Sequence, residues 1–449
     1  MSKHNYSQGG TIIIAQNLKT KKDYNFNKLD WVEETIKDTI YIKTSINRTY
    51  YNCPICGSND IVKNGYNQKT VKHYTDAFWK YIYNIKIPKY KCLNCENCFF
   101  EKERFSLKNS SYSLETIFSI LESLKNSTST FTSVANQYHI YEQECLNIFD
   151  THVLDPSKPS FFPEVLSFDE KFLNRNIAEN GYSFVIVDWK NIKILDMIPS
   201  RHIDKIAAYF SKIKPEIRSN VKYITMDMYE SYLRIAKTYF NNAIIVVDSF
   251  HVLQNLTRAF DKVRNKYLRK FDNGSDDLNN NNIEYYLLKK GANLLTKING
   301  NLSLEYKYNK KLQMNISDYE LVTYILNINP EIKKAYWLMQ EYIEFNYHNT
   351  KESAEKEIDI LIEKFFSSGI KSYEEFAVTL SHWKEYILNS FTYIYDEKRN
   401  RKRRLSEGPI EGINSQIAKI HTNGNGYKSF NRFKKVVIYK INKFLPYKF

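Results

Sequence analysis

Two cysteine pairs, Cys53-Pro-Ile-Cys56 and Cys92-Leu-Asn-Cys95, stand 35 residues apart in a chain of 449 residues that has only six cysteines. Zinc takes four ligands in a tetrahedron, and a CxxC turn offers two thiolates from one tight knuckle, so two such turns can close a site with no open coordination position. Gly57 follows the first knuckle, where a residue tolerant of positive φ lets the backbone fold back towards sulfur. The ordinary alternative is two chance pairs of buried free thiols. Cys98 competes with Cys95 for the fourth position; Cys95 keeps the two-residue spacing and leaves Phe99 and Phe100 to pack beneath the site. A site filled by four protein ligands is structural, holding one Zn²⁺. Cys145 stands alone on a helical segment and reads as core.

Three acidic residues carry a different chemistry. Asp169 lies within an apolar strand pattern, LSFDEKFL, where a charge is costly unless it has a partner such as a metal. Asp227 ends a second strand pattern, YITMDMYE, at the end of a strand where open α/β sheets gather functional groups. A third acid is available in SEGPIEGINSQIAKI, where Pro409 suits a first helical turn and puts Glu411 near a helix N-terminus, with Ile410, Ile413, Ile417 and Ile420 as an apolar stripe facing the sheet. Glu407 is a nearby competitor. Carboxylates delivered from two strands and a helix can hold two divalent ions about 4 Å apart, the arrangement that drives in-line phosphodiester displacement. Taken singly, each acid reads better as a solvated or capping residue than as a metal ligand. Asp248 and His251, in VVDSFHVLQN, are further candidates for support of the site, or else a helix cap and a core histidine.

The run Lys398, Arg399, Asn400, Arg401, Lys402, Arg403, Arg404 puts six basic residues in seven positions just before the Glu411 segment, and phosphate contact follows from that adjacency, against the generic reading of a solvated basic loop. The formal net charge of +15 favours a polyanionic partner. Part of that charge reflects a composition rich in Lys, Asn, Ile and Tyr, as AT-rich codons produce. Too few cysteines are present for a disulfide scaffold, no stretch is apolar for the roughly 18 residues of a membrane span, and the polar start lacks a signal-peptide core. A cytoplasmic, nucleoid-associated protein with no membrane partner is expected.

The elements that must position these groups are legible in outline. An aromatic, β-branched run from Phe78 to Tyr90 reads as a strand or hairpin between the cysteine pairs, with His73, Lys80, Lys86, Lys89 and Lys91 as a basic face expected to contact DNA. Helices follow from Ser113 to about His152. Within them Phe131–Tyr138, a break at His139-Ile140 and a helix from about Tyr141 to Phe149 have the spacing of a helix-turn-helix with a small core of Val134, Ala135, Ile140 and Leu146, offering Gln143 and Asn147 to a DNA groove; an ordinary helical hairpin is the alternative. After a Pro-rich linker, strand-length apolar runs occur at Val165–Phe172, Tyr182–Asp188, Ile192–Ile198, Tyr223–Met228 and Ala243–Val247, with helical patterns at Ile203–Ile213 and Ser231–Phe240. Three strands in succession, then strands alternating with helices, predict a mixed sheet covered by helices. About 150 helical residues follow Asp248, broken by an Asn-rich loop at Asp272–Asn282. Near the N-terminus, Trp31 to Ile36 reads as helical. The expected division is residues 1–50 of unassigned role, a zinc ribbon at 51–104, a helix-turn-helix at 112–154, the first part of an α/β core at 164–250, a helical insertion at 251–400 and a C-terminal helix segment at 401–449.

In this order CPICG, KYKCLNC with FFE, the paired helices, FDE, ITMDMYESY, VVDSFHVLQN and EGPIEGINSQIAKIHTNGNGYKSF resemble the ISL3 family of bacterial insertion-sequence transposases, over roughly residues 50–440. The resemblance implies a multidomain α/β protein with a ribonuclease H-like mixed sheet, a helical insertion before the glutamate, and a D-D-E site of Asp169, Asp227 and Glu411 holding two Mg²⁺ or Mn²⁺ ions, with Asn414 in the EGxN position beside them. It implies binding to the element's terminal inverted repeats as double-stranded DNA, cleavage, and joining to target DNA; a homodimer is expected. Two departures stand out: the loop after the glutamate, HTNGNGYKSF, is less basic than is usual in the family, and Cys98 is extra. The competing functional readings are a catalytically silent, transposase-derived DNA-binding regulator and a nuclease without joining activity.

Overall fold

The computed structural model describes residues 24–74, 80–272, 282–397 and 399–449. The chain forms two compact units: residues 1–158 with 415–449, and residues 159–414.

In the first unit, strands β1 (Val32–Ile36), β2 (Thr39–Ser45), β3 (Ile61–His73), β4 (Lys80–Cys92) and β5 (Cys98–Phe100) make one sheet of order β1-β2-β4-β3, with β5 also on β4. The β3–β4 pairing is a long antiparallel ladder from Ile61↔Cys92 to His73↔Tyr81, interrupted between Lys63 and Tyr66 where Gly65 sits at φ 82°. Trp31–Ile36 is therefore not helical: β-branched Val32, Thr35 and Ile36 turn sharply at Lys37 (φ 56°) and pair antiparallel with β2. Apolar residues four apart fit a helix as well as a strand, and the available strand partner decided between them. β2 also pairs in parallel with β4, so β1 and β2 lie in the same sheet as the strands that flank the cysteine pairs. Phe78 and Trp79, the start of the expected strand run, and Ile12 to Ile14 lie outside the described residues.

Helices α1 (Leu114–Leu124), α2 (Phe131–Gln137) and α3 (Glu142–His152) follow. Ser113 and Thr130 cap the first two through their side-chain oxygens, and His139 makes the turn between α2 and α3 at φ 53°. Val134 and Ala135 are buried as expected, but Cys145, Ile148 and Phe149 supply more of the shared core than half-buried Ile140 and Leu146.

The second unit holds β6 (Val165–Phe172), β7 (Tyr182–Asp188), β8 (Lys193–Ile198), α4 (Ile203–Phe210), α5 (Pro215–Arg218), β9 (Tyr223–Met226), α6 (Glu230–Tyr239) and β10 (Ile244–Val247). These strands form one sheet of order β10-β9-β6-β7-β8, with β6, β9 and β10 parallel and β7 and β8 antiparallel. Phe168, Phe184, Phe210 and Phe240 are fully or almost fully buried, and their rings meet at tilted or edge-to-face angles around Phe168 and Phe210. A helical layer follows: α7 (Ser249–Lys270), α8 (Ile283–Lys290), α9 (Ala292–Leu295), the hairpin β11 (Lys307–Asn309) and β12 (Met314–Ile316), α10 (Asp318–Leu326), α11 (Pro330–His348), α12 (Lys351–Phe366) and α13 (Lys371–Asn389). Ser372 Oγ donates to Ala259 O and Tyr373 OH to Ala335 O, tying α13 to α7 and α11, while Asn389 Nδ2 donates to Ile245 O and ties α13 to the sheet edge.

The hairpin β13 (Tyr393–Asp396) and β14 (Arg401–Arg404) leads into α14 (Gly408–Asn423), whose first residues belong to the second unit and whose remainder, with α15 (Phe430–Asn442), belongs to the first. Ile410, Ile413, Ile417 and Ile420 are all buried, and the stripe is divided between the units at Asn414. In the first unit, α15 sets Tyr439 against Phe149, donates from Tyr439 OH to Leu121 O, and carries Lys440 and Lys443 to carbonyls just past α1. No helix among the described residues is long and apolar enough to cross a membrane.

Candidate functional site

The sheet register assembles the acids. Met226 of β9 pairs with Phe168 of β6 on one side and with Val247 of β10 on the other. The next residue along each parallel strand direction is an aspartate: Asp169, Asp227 and Asp248. Strands lie about 4.8 Å apart, and in-register residues of parallel strands share a face, so three carboxyl groups form a row where β9 and β10 end. Glu170, the other acid of FDE, turns away and pairs with Arg201 at 3.0 Å.

Three successive residues pin the segment before α14 to this edge. Leu405 is buried with Val165, Trp189 and Val246. Ser406 O accepts Trp189 Nε1–H at 2.7 Å, and Glu407 N–H donates to Asp248 Oδ2 at 3.0 Å. Glu407 O accepts the amides of Ile410 and Glu411, opening α14. Asp248 also caps α7, accepting Phe250 N–H at 3.1 Å. Two helix N-termini thus converge on the acids, and their unpaired amide ends make the neighbourhood favourable to anions. One turn further along α14, Asn414 Nδ2 donates to Asp169 Oδ2 at 2.5 Å.

His251 lies between the acids: Nδ1 is 3.5 Å from Asp227 Oδ1, and Nε2 is 3.1 Å from Glu407 Oε2. The expected triad does not gather as one tight set. Among the described residues, the carboxylate-bearing group whose ligand atoms all lie within 4.8 Å of one another is instead Asp248, His251 and Glu411, with Asp227 reached through His251 and Asp169 through Asn414. Asp248 is thus both the helix cap that its position suggests and a member of the cluster. The buried role of Glu407 was visible in the sequence only as an acid near Glu411, because nothing in its spacing predicts that it is fully shielded from solvent.

The electrostatics follow from crowding. Burial pushes the Asp169 carboxyl up to about 6, helped by the neighbouring charge of Asp227. Burial raises Glu407 well above the ordinary carboxylic range. For His251, burial opposes the charged ring, but Glu407, Asp227 and Asp248 outweigh it and raise the imidazolium to about 9. Neither Glu407 oxygen has an aligned hydrogen bond, nor does Asn414 Oδ1, although all are buried. Five carboxyl groups with one histidine form a donor set suited to hard divalent cations.

The second metal-ligand set is in the first unit. Cys53, Cys56, Cys92 and Cys95 have all four Sγ atoms within 4.8 Å of one another. The Cys53–Cys95 and Cys56–Cys92 separations are 3.7 and 3.6 Å, close to the roughly 3.8 Å edge of a tetrahedron with Zn–S bonds of about 2.3 Å. Gly57 after the first knuckle has φ 78°, and Glu96 after the second takes φ 58°. Cys98 lies in β5, is exposed, and accepts from Asn64 Nδ2, outside that group. Four thiols so placed fit zinc.

The residues expected to meet DNA divide by geometry. Gln143 and Asn147 are exposed on α3 and bonded to each other at 2.8 Å, while Glu144 accepts the Tyr141 amide at the start of α3. Within the basic run, Arg401–Arg404 form β14 of the β13–β14 hairpin, and Arg399 and Asn400 lie in its turn. Arg399 and Arg403 both pair with buried Asp396, at 2.7 and 2.9 Å, and Arg403 also stacks over Trp189. Arg404 donates to Asn346 and Ser390, both to backbone and to side chain. Arg401 and Lys402 remain exposed; Lys398 lies outside the described residues. His73, expected on the ribbon's basic face, is instead bonded to Ser113 Oγ at 2.8 Å.

A transposase family model of the ISL3 type matches residues 166–437. The transposase for insertion sequence element IS1001 of Bordetella parapertussis is 23% identical to this chain over 273 residues, 60% of the chain and 59% of that relative's length. The matched region runs from β6 through the row of aspartates to the α14 and α15 helices, and on that extent the chain belongs to the ISL3 family of transposases.

Proposed function

We propose that this protein is a D-D-E DNA transposase that binds the terminal inverted repeats of its insertion sequence and catalyses metal-dependent cleavage and strand transfer, with Asp169, Asp227 and Glu411 as the catalytic acids. The observation that carries the reading is the register that aligns Asp169 and Asp227 on adjacent parallel strands, with Glu411 in the first turn of a helix pinned beside them. The strand order, three antiparallel strands followed by two parallel strands added at the far side of the first, supports a ribonuclease H-like core. Divalent ions held by these acids, two Mg²⁺ or Mn²⁺, would activate the attacking water or 3′-hydroxyl and stabilise the leaving oxygen.

The chain's own part is preparation. Asn414 fixes one Asp169 oxygen, leaving the carboxyl a restricted orientation. His251 offsets the repulsion of neighbouring acids until cations arrive. The two helix N-termini favour negative charge at the cluster, and the buried sheet below it excludes water from one side. In the first unit a zinc-closed ribbon and the α2–α3 pair form the DNA-recognition end, with Gln143 and Asn147 directed to base edges; a homodimer would engage both element ends.

The test is a cleavage assay on DNA carrying the element's terminal repeats, with Mg²⁺. Wild type is expected to nick the repeat ends and join them to target DNA, while Asp227→Ala does neither. Equal nicking by the two would overturn the reading; repeat binding with no cleavage by wild type would favour the regulator, and nicking without joined products the simple nuclease.

Within the basic hairpin, alanine at both Arg401 and Lys402 is expected to leave thermal stability unchanged while weakening DNA affinity and reducing the slope of log affinity against log salt by about 1 to 2. Arg404→Ala, by contrast, removes buried hydrogen bonds and is expected to cost about 2–4 kcal/mol in urea denaturation. Anisotropy titrations across a salt series check the first; an unchanged slope would remove these residues from the DNA interface.

A further inference from the structure

Glu407 is fully buried at the N-terminus of α14, and its position is held at both ends of the residue: N–H to Asp248, C=O to the first amides of the helix. Its carboxyl oxygens have no aligned hydrogen-bond donor. A side chain so placed is expensive to keep, and a neutral residue of similar volume would satisfy the packing. Its ion-pair partner is His251, at 3.1 Å, and the other ring nitrogen of His251 faces Asp227 at 3.5 Å. An imidazole held at one nitrogen by a carboxylate has its ring plane and its second nitrogen fixed, as when an outer carboxylate orients a metal-binding histidine.

We propose that Glu407 is a positioning residue: through His251 it sets the orientation of Asp227 and so prepares the acid cluster for divalent cations. The line of contact is Glu407, His251, Asp227, running from the buried start of α14 to the end of β9. It joins two segments of chain separated by the whole helical layer, and the sheet register places Asp227 between Asp169 and Asp248. The inference rests on the transposase reading, and it adds a role for a fourth carboxylate beyond the three catalytic acids.

The two ideas separate experimentally because cation binding can be measured without cleavage. Mn²⁺ titration calorimetry on the full-length, zinc-loaded protein is run for wild type, E407Q, H251Q and the double variant, with melting temperatures for each. E407Q is expected to weaken Mn²⁺ affinity by about 10- to 100-fold. The double variant is expected to bind no worse than H251Q alone, since residues acting as one unit are not additive. The melting temperature of E407Q should stay close to that of wild type, because the neutral amide removes the cost of a buried charge while the contact with His251 at 3.1 Å is weakened. Wild-type Mn²⁺ affinity in E407Q, additive losses in the double variant, or a lowered melting temperature that tracks the lost affinity would each overturn the positioning role. In parallel cleavage assays, coupling in the titrations with no cleavage by wild type would refute the transposase reading and leave the positioning role standing. Cleavage by E407Q at the wild-type rate would do the reverse.

Discussion

Replacing Asp169 with asparagine is expected to slow DNA cleavage by about 10³-fold or more while leaving the metal-free fold at least as stable as before. The rate effect follows from losing an anionic oxygen in a site where cation-borne stabilisation of the transition state amounts to several kcal/mol, at about 1.4 kcal/mol per tenfold. The stability effect follows from the environment. Asp169 sits over the buried sheet beside Asp227, and its folded pKa, pushed up to about 6, lies above the roughly 3.9 of an unfolded chain. A carboxyl raised on folding contributes stability that is fully present below pH about 4 and lost as the pH rises through about 6. His251, raised from 6.5 to about 9, behaves likewise at higher pH: its contribution is complete below about 6.5 and lost through about 9. In Mg²⁺-free buffer with zinc retained, the wild-type melting temperature should therefore carry a falling component between pH 4 and 6 that Asp169→Asn lacks, and both proteins should share the fall between 6.5 and 9. Parallel curves for the two between pH 4 and 6 would contradict the assignment of that lower step to Asp169.

Cys92→Ser is expected to abolish zinc binding and unfold the cysteine-bearing end of the first unit. The small core there consists of Cys53, Tyr90, Cys92 and Phe99, with Tyr50, Ile61 and Cys95 against it, so two of the four thiols are themselves core residues and a third packs on them. Too little apolar surface surrounds the site for it to hold together without metal, and structural zinc supplies about 10–16 kcal/mol in comparable modules. Cys98→Ser, outside the tetrahedral group, should keep one zinc per chain. Metal content by mass spectrometry and proteolytic susceptibility of the β3–β4 ladder check both variants together. Loss of zinc from Cys98→Ser with retention in a Cys95→Ser variant would reassign the fourth ligand.

Much of the second unit was legible because its strands are short apolar runs with clear boundaries: Val165–Phe172 and Tyr182–Asp188 match the observed β6 and β7 end to end. Buried strands next to amphipathic helices leave a pattern that local chemistry alone imposes. The segment at Trp31–Ile36 was misread for the same physical reason in reverse, since its few apolar residues suit either period and only the partner strand β2 resolves the choice. The basic run before α14 was legible as charge but not as structure. That Arg399 and Arg403 neutralise Asp396 and that Arg404 is bonded to Asn346 and Ser390 depend on residues up to 58 positions away.

The sequence alone determined the ingredients: two CxxC knuckles at metal-binding spacing, strand-borne aspartates at 169 and 227, an acid on the first turn of a late helix, and a chain rich enough in apolar segments to bury a mixed sheet. Those are properties of neighbours along the chain, where residue type and period carry the information. Only the tertiary structure decided the register that sets Asp169, Asp227 and Asp248 side by side, the choice of Cys95 over Cys98 in the thiol group, and the burial of Glu407 against His251. Each of these depends on which distant segments meet. A shift of one strand by a single residue would turn its aspartate to the opposite face of the sheet without changing a letter of the sequence.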